Sequence, residues 1–156
     1  MMSVECTIGT CHNNCKNNLM ETYEWKSVYV NESPIHNFGL FANEIIFKGN
    51  FIMEYLGTEY EKNNQTETKS SKYKMEMTHH YIDAEKEGSL ARYINHCDEP
   101  NAMFKKIFVG GVERSAVYAA KDIVIDDEIT CMYLKKIRFN ITVKRKTIMH
   151  WGAEYI

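Results

Sequence analysis

The ten residues RYINHCDEPN, at positions 92–101, decide how the rest of this chain is interpreted. They place the end of an apolar strand before a polar turn that contains Pro100. The side-chain amide of Asn95 offers both hydrogen-bond donors and an acceptor. It could therefore hold a polar ligand, or it could satisfy buried backbone groups of a structural turn. The stretch alone leaves both roles open.

Short stretches of alternating apolar and polar residues surround this turn. Val28 and Val30 alternate with polar residues, and Phe51, Met53 and Tyr55 repeat the pattern. A period of two places alternate side chains on one face of a β-strand. Because helical periodicity is weak by comparison, the sequence predicts a fold that is mostly β with little helix.

A hairpin is predicted directly after the turn. Residues 106–109 and 112–118 flank the glycine pair at 110–111, a two-residue connection typical of tight hairpins. Farther along, three alternating residues are predicted to share one face of a strand: Ile129, Cys131 and Tyr133.

The composition is that of an ordinary globular domain. The chain has 156 residues, 44% of them hydrophobic and 26% charged, with a formal net charge of −2. This length fits one domain with a core of its own. Six basic residues fall within residues 135–146 with no acidic residue among them. They form either a solvated face or a binding patch, so direct contact with nucleic acid stays open.

The cysteines indicate a reducing compartment. There are five, an odd number, and the sequence shows neither a signal-peptide pattern nor an apolar run long enough to cross a bilayer. We therefore expect no membrane partner. Cys6, Cys11 and Cys15 lie close together with His12 among them. Zinc prefers four nitrogen or sulfur ligands, but these spacings are not paired. Three free thiols are the alternative, and no other metal site is expected.

The stretch RYINH followed by Pro100 and Asn101 resembles the signature of the SET-domain protein-lysine methyltransferases. Further blocks resemble the same family in the same order: NFGLFA at 37–42, EYLG at 54–57, IDA at 82–84, the hairpin region at 111–122, and EITCMY at 128–133. The resemblance spans about residues 27–134. It implies the SET fold, in which small β-sheets surround a pseudoknot-like C-terminal segment.

The resemblance also implies a division of the chain. Residues 1–26 would form a vestigial cysteine-rich segment, and residues 27–136 the SET domain with a polar insertion at about 58–80. Residues 137–156 would form a short C-terminal cap without a zinc cluster. Trp151 and Tyr155 are its candidates for closing a substrate channel.

The activity implied by the resemblance is transfer of methyl groups from S-adenosylmethionine to a lysine side chain of a protein, with a histone tail as the expected substrate. Such a chromatin regulator would act in the nucleus, with the cytoplasm as the alternative. The rival hypothesis is a catalytically silent SET-like module that binds a peptide or a chromatin partner.

The resemblance assigns roles to individual residues. Tyr133 would be the catalytic tyrosine. Tyr55 and Cys131 would line the channel through which the lysine enters, although any single tyrosine could instead belong to the core. The cofactor would be held by Asn37, Phe38, Gly39, Tyr73, Arg92, Asn95 and His96. Of these, the first three would hold the methionine part, Asn95 the amino-acid group and the His96 backbone the adenine.

Three departures from the family pattern carry expectations of their own. Asn37 replaces a glycine, and asparagine is well suited to the positive φ that a glycine position requires. Asp98 stands where some relatives have a zinc-binding cysteine, so we expect no C-terminal zinc cluster. Cys131 replaces a phenylalanine or tyrosine, and its small side chain predicts a wider channel and addition of two or three methyl groups.

Overall fold

A computed structural model of the protein describes residues 3–10, 15, 17–62 and 72–133. It confirms a fold that is mostly β with little helix. In chain order the elements are β1 (Ser3–Glu5), α1 (Leu19–Thr22), β2 (Val28–Glu32), β3 (Phe38–Ala42), β4 (Phe51–Glu54), β5 (Gly57–Glu61), β6 (Lys74–Glu76), β7 (His80–Gly88), a 3-10 helix (Leu90–Tyr93), β8 (Asn95–His96), β9 (Ala102–Val109), β10 (Val112–Ala119) and β11 (Glu128–Cys131).

The strands form two sheets. The larger has the order β2-β3-β11-β9-β10-β4, with β1 paired to β9 and β8 paired to β11. The smaller has the order β5-β7-β6. Strand β11 is antiparallel to β3 and parallel to β8 and β9. The last described strand therefore lies between segments that are far apart in the sequence, which brings the NFGLFA, RYINH and EITCMY blocks together.

The main core lies beneath these shared strands. Leu40, Ile94, Val117 and Ile129 are almost completely buried and belong to one apolar cluster. Full burial of an aliphatic side chain contributes about 1.5–3 kcal/mol to folding. Leu40, Ile94 and Ile129 come one from each of the three blocks. Their burial thus fixes the position of the polar residues next to them in the sequence.

The predicted hairpin is confirmed. Val109 pairs with Val112, and the connecting Gly110 and Gly111 have φ values of 58° and 84°. Two consecutive positive φ angles are what the type I′ turn of a two-residue hairpin requires.

Two predicted strands end earlier than their alternating patterns suggest. Strand β4 stops at Glu54, before Tyr55, and all four of its residues are buried. Its second face is covered from the N-terminal segment, because Met20 packs in a second core cluster with Phe51. Strand β11 likewise stops at Cys131, so Tyr133 lies two residues beyond it.

The N-terminal segment is joined to this core by a buried carboxylate. Glu5 is 6% exposed and accepts hydrogen bonds from the backbone N–H of Met20 at 3.0 Å and the hydroxyl of Tyr118 at 3.3 Å. A buried carboxylate with two donors is far less costly than an unpaired one. The described part of residues 1–26 therefore packs with the other strands.

The region proposed as an insertion contains regular structure. Strands β5 and β6 lie within residues 57–76, and residues 63–71 are outside the described part of the chain. The small sheet is tied to β10 by Thr78, whose N–H and hydroxyl donate to the Glu113 carboxylate at 2.8 and 2.6 Å. Burial opposes ionisation of Glu113, but these hydrogen bonds, together with the nearby charges of Lys106 and His80, outweigh it and hold the pKa of Glu113 below its ordinary value.

Several predictions fall on residues that the structure does not describe. They concern the cap at 137–156 with Trp151 and Tyr155, the basic residues at 135–146, and Cys11 with His12. Within the described ranges, no helix is long and apolar enough to cross a bilayer.

Candidate functional site

A cavity of about 640 Å³ opens where four segments of the chain meet. Pockets for small organic ligands usually have volumes of about 300–1,000 Å³. The lining consists of Glu32, Ser33, His36, Asn37, Phe38, Lys72, Tyr73, Arg92, Tyr93, Ile94, Asn95 and Tyr133. The fold therefore builds a ligand-sized site around the stretch RYINH.

Most of the residues predicted for the site line this one cavity. Five of the predicted cofactor residues do so together with Tyr133: Asn37, Phe38, Tyr73, Arg92 and Asn95. Gly39 and His96 are absent from the lining, as are the predicted channel residues Tyr55 and Cys131.

The turn between β2 and β3 forms one wall. Asn37 has a φ of 43°, which confirms that asparagine occupies a position of positive φ. Its carbonyl accepts the N–H of Ser33 at 2.9 Å, which closes the turn. Phe38 follows and leaves 54% of its surface exposed beside the cavity.

Asn95 fulfils the structural role left open by its sequence and also lines the cavity. Its Nδ2 lies 3.1 Å from the Phe38 carbonyl, 3.3 Å from the His36 carbonyl and 2.7 Å from Glu128 Oε1. The hydroxyl of Ser33 is 3.1 Å away. All these acceptors attract the amide nitrogen, which assigns the orientation of the group. The amide oxygen accepts no hydrogen bond from the described residues, so it is the atom available to a ligand.

Glu128 and Ser33 support the cavity wall, and neither was predicted from the sequence. The Ser33 hydroxyl is 2.8 and 2.9 Å from the two carboxylate oxygens of Glu128. The carboxylate also lies against Gly39, where an added Cβ would be 2.7 Å from Glu128 Cδ. The one available sequence signal was an acidic residue opening the EITCMY block. Glu128 thus explains why position 39 requires glycine.

Tyr133 is held at the cavity by its backbone as well as by its ring. Its hydroxyl donates to the carbonyl of Ile94, and its N–H donates to His96 Nδ1 at 2.9 Å. An accepting Nδ1 leaves the proton of a neutral imidazole on Nε2, which is 3.2 Å from Asp98 Oδ1. The His96 side chain therefore orients Tyr133, while the Asp98 side chain beside it is 97% exposed.

A cationic wall lies opposite the turn. The Arg92 guanidinium is 4.6 Å from the centre of the Tyr73 ring and 5.4 Å from that of Tyr93. Lys72 Nζ is 4.9 Å from the Tyr73 ring. Arg92 Nε is buried and has no hydrogen-bond partner among the described residues. Two cations and an unpaired donor would suit a ligand with a carboxylate.

The two predicted channel residues are buried in the core. Tyr55 is 6% exposed, donates its hydroxyl to the Tyr73 carbonyl at 2.6 Å and meets Phe104 edge-to-face at 5.8 Å. Cys131 is fully buried, and burial raises the pKa of both its thiol and the Tyr55 phenol. The centre of the Phe104 ring lies 6.5 Å from that of the Tyr133 ring. The sequence had not indicated a role for Phe104. The channel roles of Tyr55 and Cys131 remain predictions.

The candidate zinc ligands are only partly described. The sulfurs of Cys6 and Cys15 are 3.7 and 3.4 Å from donors of Asn17. No cluster of three or more metal-binding side chains occurs among residues 3–10, 15, 17–62 and 72–133. With Cys11 outside these ranges, zinc remains a prediction.

Comparison with known proteins accounts for this arrangement. The family model described as the SET domain matches residues 37–134. The chain belongs to the SET domain family. The match begins at Asn37 in the turn and ends beside Tyr133, so it encloses most of the segments that form the cavity.

The relatives of this SET domain include histone methyltransferases. It is 32% identical over 142 residues to the H3 lysine-36 specific histone-lysine N-methyltransferase of Debaryomyces hansenii, covering 84% of this chain and 19% of that protein. It is 38% identical over 117 residues to the H3 lysine-4 specific enzyme of Saccharomyces cerevisiae, covering 69% of this chain and 11% of that protein. The chain thus spans a fifth or less of the length of these curated relatives.

Solved structures agree with the assignment of this chain to the SET domain family. The structure of ctPRC2 in an autoinhibited conformation bound to S-adenosylmethionine matches with a TM-score of 0.67 and 30% identity, over 76% of this chain and 16% of that one. An active polycomb repressive complex 2 in its basal state matches with a TM-score of 0.71 and 29% identity, over 80% and 17%. The SET fold predicted from the sequence is confirmed.

The contact between Gly39 and Glu128 leads to a prediction about stability. Gly39→Ala should lower the free energy of unfolding by about 1–3 kcal/mol, because the new Cβ overlaps the carboxylate. In a Glu128→Ala background the same change should cost much less. Urea denaturation of the four proteins of this double-mutant cycle measures the difference. Equal costs in the two backgrounds would contradict the contact.

Proposed function

We propose that this SET domain transfers methyl groups from S-adenosylmethionine to a lysine side chain of a protein, and that a histone tail is its substrate. The observation that carries the proposal is the single cavity that joins Asn95, Arg92 and the turn at Asn37 to Tyr133. The named H3-specific relatives support a histone substrate, and with it action on chromatin in the nucleus.

The residues of the cavity fit the proposed cofactor. S-adenosylmethionine has an amino-acid end with one ammonium and one carboxylate group, and the amide oxygen of Asn95 is an acceptor suited to the ammonium. Arg92, with its unpaired Nε, and Lys72 are cations suited to the carboxylate. The backbone of residues 37–39 would hold the methionine part and that of His96 the adenine. When bound, the cofactor supplies a methyl group activated by a sulfonium.

The lysine must lose a proton before it can attack a methyl group. With an ordinary pKa near 10.4, this costs about 4–5 kcal/mol at pH 7. The Phe104 ring contacts two tyrosine rings, those of Tyr55 and Tyr133. An apolar environment of this kind lowers the pKa of a lysine amine, because it disfavours the charged form. The Tyr133 hydroxyl donates to the Ile94 carbonyl, which fixes the phenol oxygen at the cavity wall, where it would orient the neutral amine.

Cofactor binding tests the role of Asn95. Asn95→Ala should weaken binding of S-adenosylhomocysteine, the demethylated product, about tenfold or more, because the ligand's ammonium loses its acceptor. Calorimetry measures the affinity. Asn101→Ala is the matched control, since the Asn101 amide also hydrogen-bonds to β11, through the Glu128 carbonyl and the Thr130 N–H at 2.9 Å, but does not line the cavity. Equal losses in the two variants would remove Asn95 from the binding site.

Turnover tests the role of Tyr133. Tyr133→Phe keeps the ring and deletes the hydroxyl, so we expect the methylation rate on histone H3 to fall about 100-fold with cofactor affinity nearly unchanged. Tyr118→Phe is the control, because its hydroxyl contacts Glu5 and lies outside the cavity lining. A wild-type chain that binds cofactor but methylates nothing would favour the silent binding module instead.

Product analysis tests the role of Cys131. If this small side chain leaves room beside the lysine nitrogen, mass spectrometry should find di- or trimethyl-lysine with excess cofactor. Cys131→Tyr should shift the product toward monomethyl-lysine, while Cys131→Ser, of nearly equal volume, should not. Because Cys131 is fully buried, each variant needs a check of its folding by circular dichroism. A wild-type reaction that stops at monomethyl-lysine would refute this role.

A further inference from the structure

Two loops away from the named strands are held together by a pair of backbone hydrogen bonds. Ile46 and Ile123 each donate an N–H to the other's carbonyl at 2.9 Å, and both side chains are fully buried. Successive side chains of extended chain alternate between faces. The neighbours Ile45, Phe47 and Val124 therefore face away from the core.

These neighbours form an apolar patch, defined here as Ile45, Phe47, Val124 and Ile125. The exposed fractions are 50%, 61%, 54% and 51%, in that order. The antiparallel register of the two loops sets Ile45 opposite Val124. Single exposed apolar residues are common, but four of them on two loops joined by a bridge indicate an interaction surface. None of the four lines the cavity, so the proposed methyl transfer does not account for them.

The charges around the apolar patch are mainly negative and are held in place. Residues 43–50 and 120–127 contain four acidic and two basic side chains. Glu44 is paired with Lys26 at 3.6 Å, and Lys121 Nζ lies 3.5 Å from the Glu99 carbonyl, which leaves Lys48 and three aspartates. Each aspartate is fixed by a hydrogen bond: Asp122 to the N–H of Lys48 at 2.7 Å, Asp126 to the hydroxyl of Tyr29 at 2.7 Å, and Asp127 to the N–H of Val124 at 3.2 Å.

We propose that the apolar patch docks a basic protein segment that carries apolar side chains, and that this segment belongs to the protein substrate. Carboxylates fixed beside an apolar surface attract a cationic partner and repel nucleic acid and anionic lipid. Histones are basic proteins of this kind, so the assignment to the substrate rests on the proposed function. The patch would then give the enzyme a second contact, apart from the cavity that holds the reacting lysine.

Binding measured without cofactor separates this proposal from catalysis. Fluorescence anisotropy of labelled, full-length histone H3 is recorded with the wild type and with a Phe47→Ser/Val124→Ser variant. We expect at least fivefold weaker binding for the variant. Val112→Ser is the control, because Val112 is 59% exposed at the hairpin between β9 and β10. It should bind H3 as the wild type does.

A charge variant tests the complementary half of the proposal. Asp122→Asn/Asp126→Asn keeps the acceptor oxygens but removes two charges, so binding to H3 should weaken about two- to threefold at low salt and less at high salt.

Unchanged H3 binding by the Phe47→Ser/Val124→Ser variant would overturn the proposal, as would an equal loss with Val112→Ser. So would a wild-type dimer in sedimentation that this variant dissociates, since a second copy would then cover the patch. Normal H3 binding without any methylation would refute the proposed function and leave the docking surface standing.

Discussion

The Glu128 carboxylate accepts hydrogen bonds from Ser33 and Asn95 and lies directly against Gly39, so a single charged group touches three other segments of the chain. Its position is set by β11, which is inserted between β3 on one side and β8 and β9 on the other. A half-buried charge is stable only when its oxygens are hydrogen-bonded. The part of the cavity wall formed by Ser33 and Asn95 therefore depends on these segments being assembled together.

The same arrangement prepares the residues proposed for chemistry. By attracting the amide nitrogen of Asn95, Glu128 and the carbonyls of the turn leave its oxygen for a ligand. At the other end of β11, His96 receives the N–H of Tyr133, and its Nε2 is 3.2 Å from Asp98. Support from groups behind the cavity wall reduces the reorganisation needed when ligands bind.

Local signals made part of this structure predictable. The glycine pair at 110–111 specified a hairpin because few residues accept two positive φ angles, and Asn37 occupied a positive φ for the same reason. Five of the seven predicted cofactor residues line the cavity; four of them lie in the NFGLFA and RYINH blocks, and Tyr73 lies in neither.

Long-range contacts could not be predicted in this way. Ser33 and Glu128 are 95 positions apart, and nothing local in either segment announces the other. Alternation placed Cys131 and Tyr133 on one strand face, but it cannot tell whether a side chain enters a cavity or the core. Tyr55 was likewise expected at the channel and is buried against Phe104. The burial of β4 on both faces depends on Met20, more than 30 residues earlier in the chain.

The central claim is that the cavity beside Asn95 and Arg92 is the binding site of S-adenosylmethionine. A crystal structure of the protein with S-adenosylhomocysteine tests it most directly. We expect the ligand's ammonium to donate to Asn95 Oδ1, with its carboxylate facing Arg92 and its sulfur toward Tyr133. Density for the ligand at another place on the surface, with this cavity left empty at saturating concentration, would contradict it.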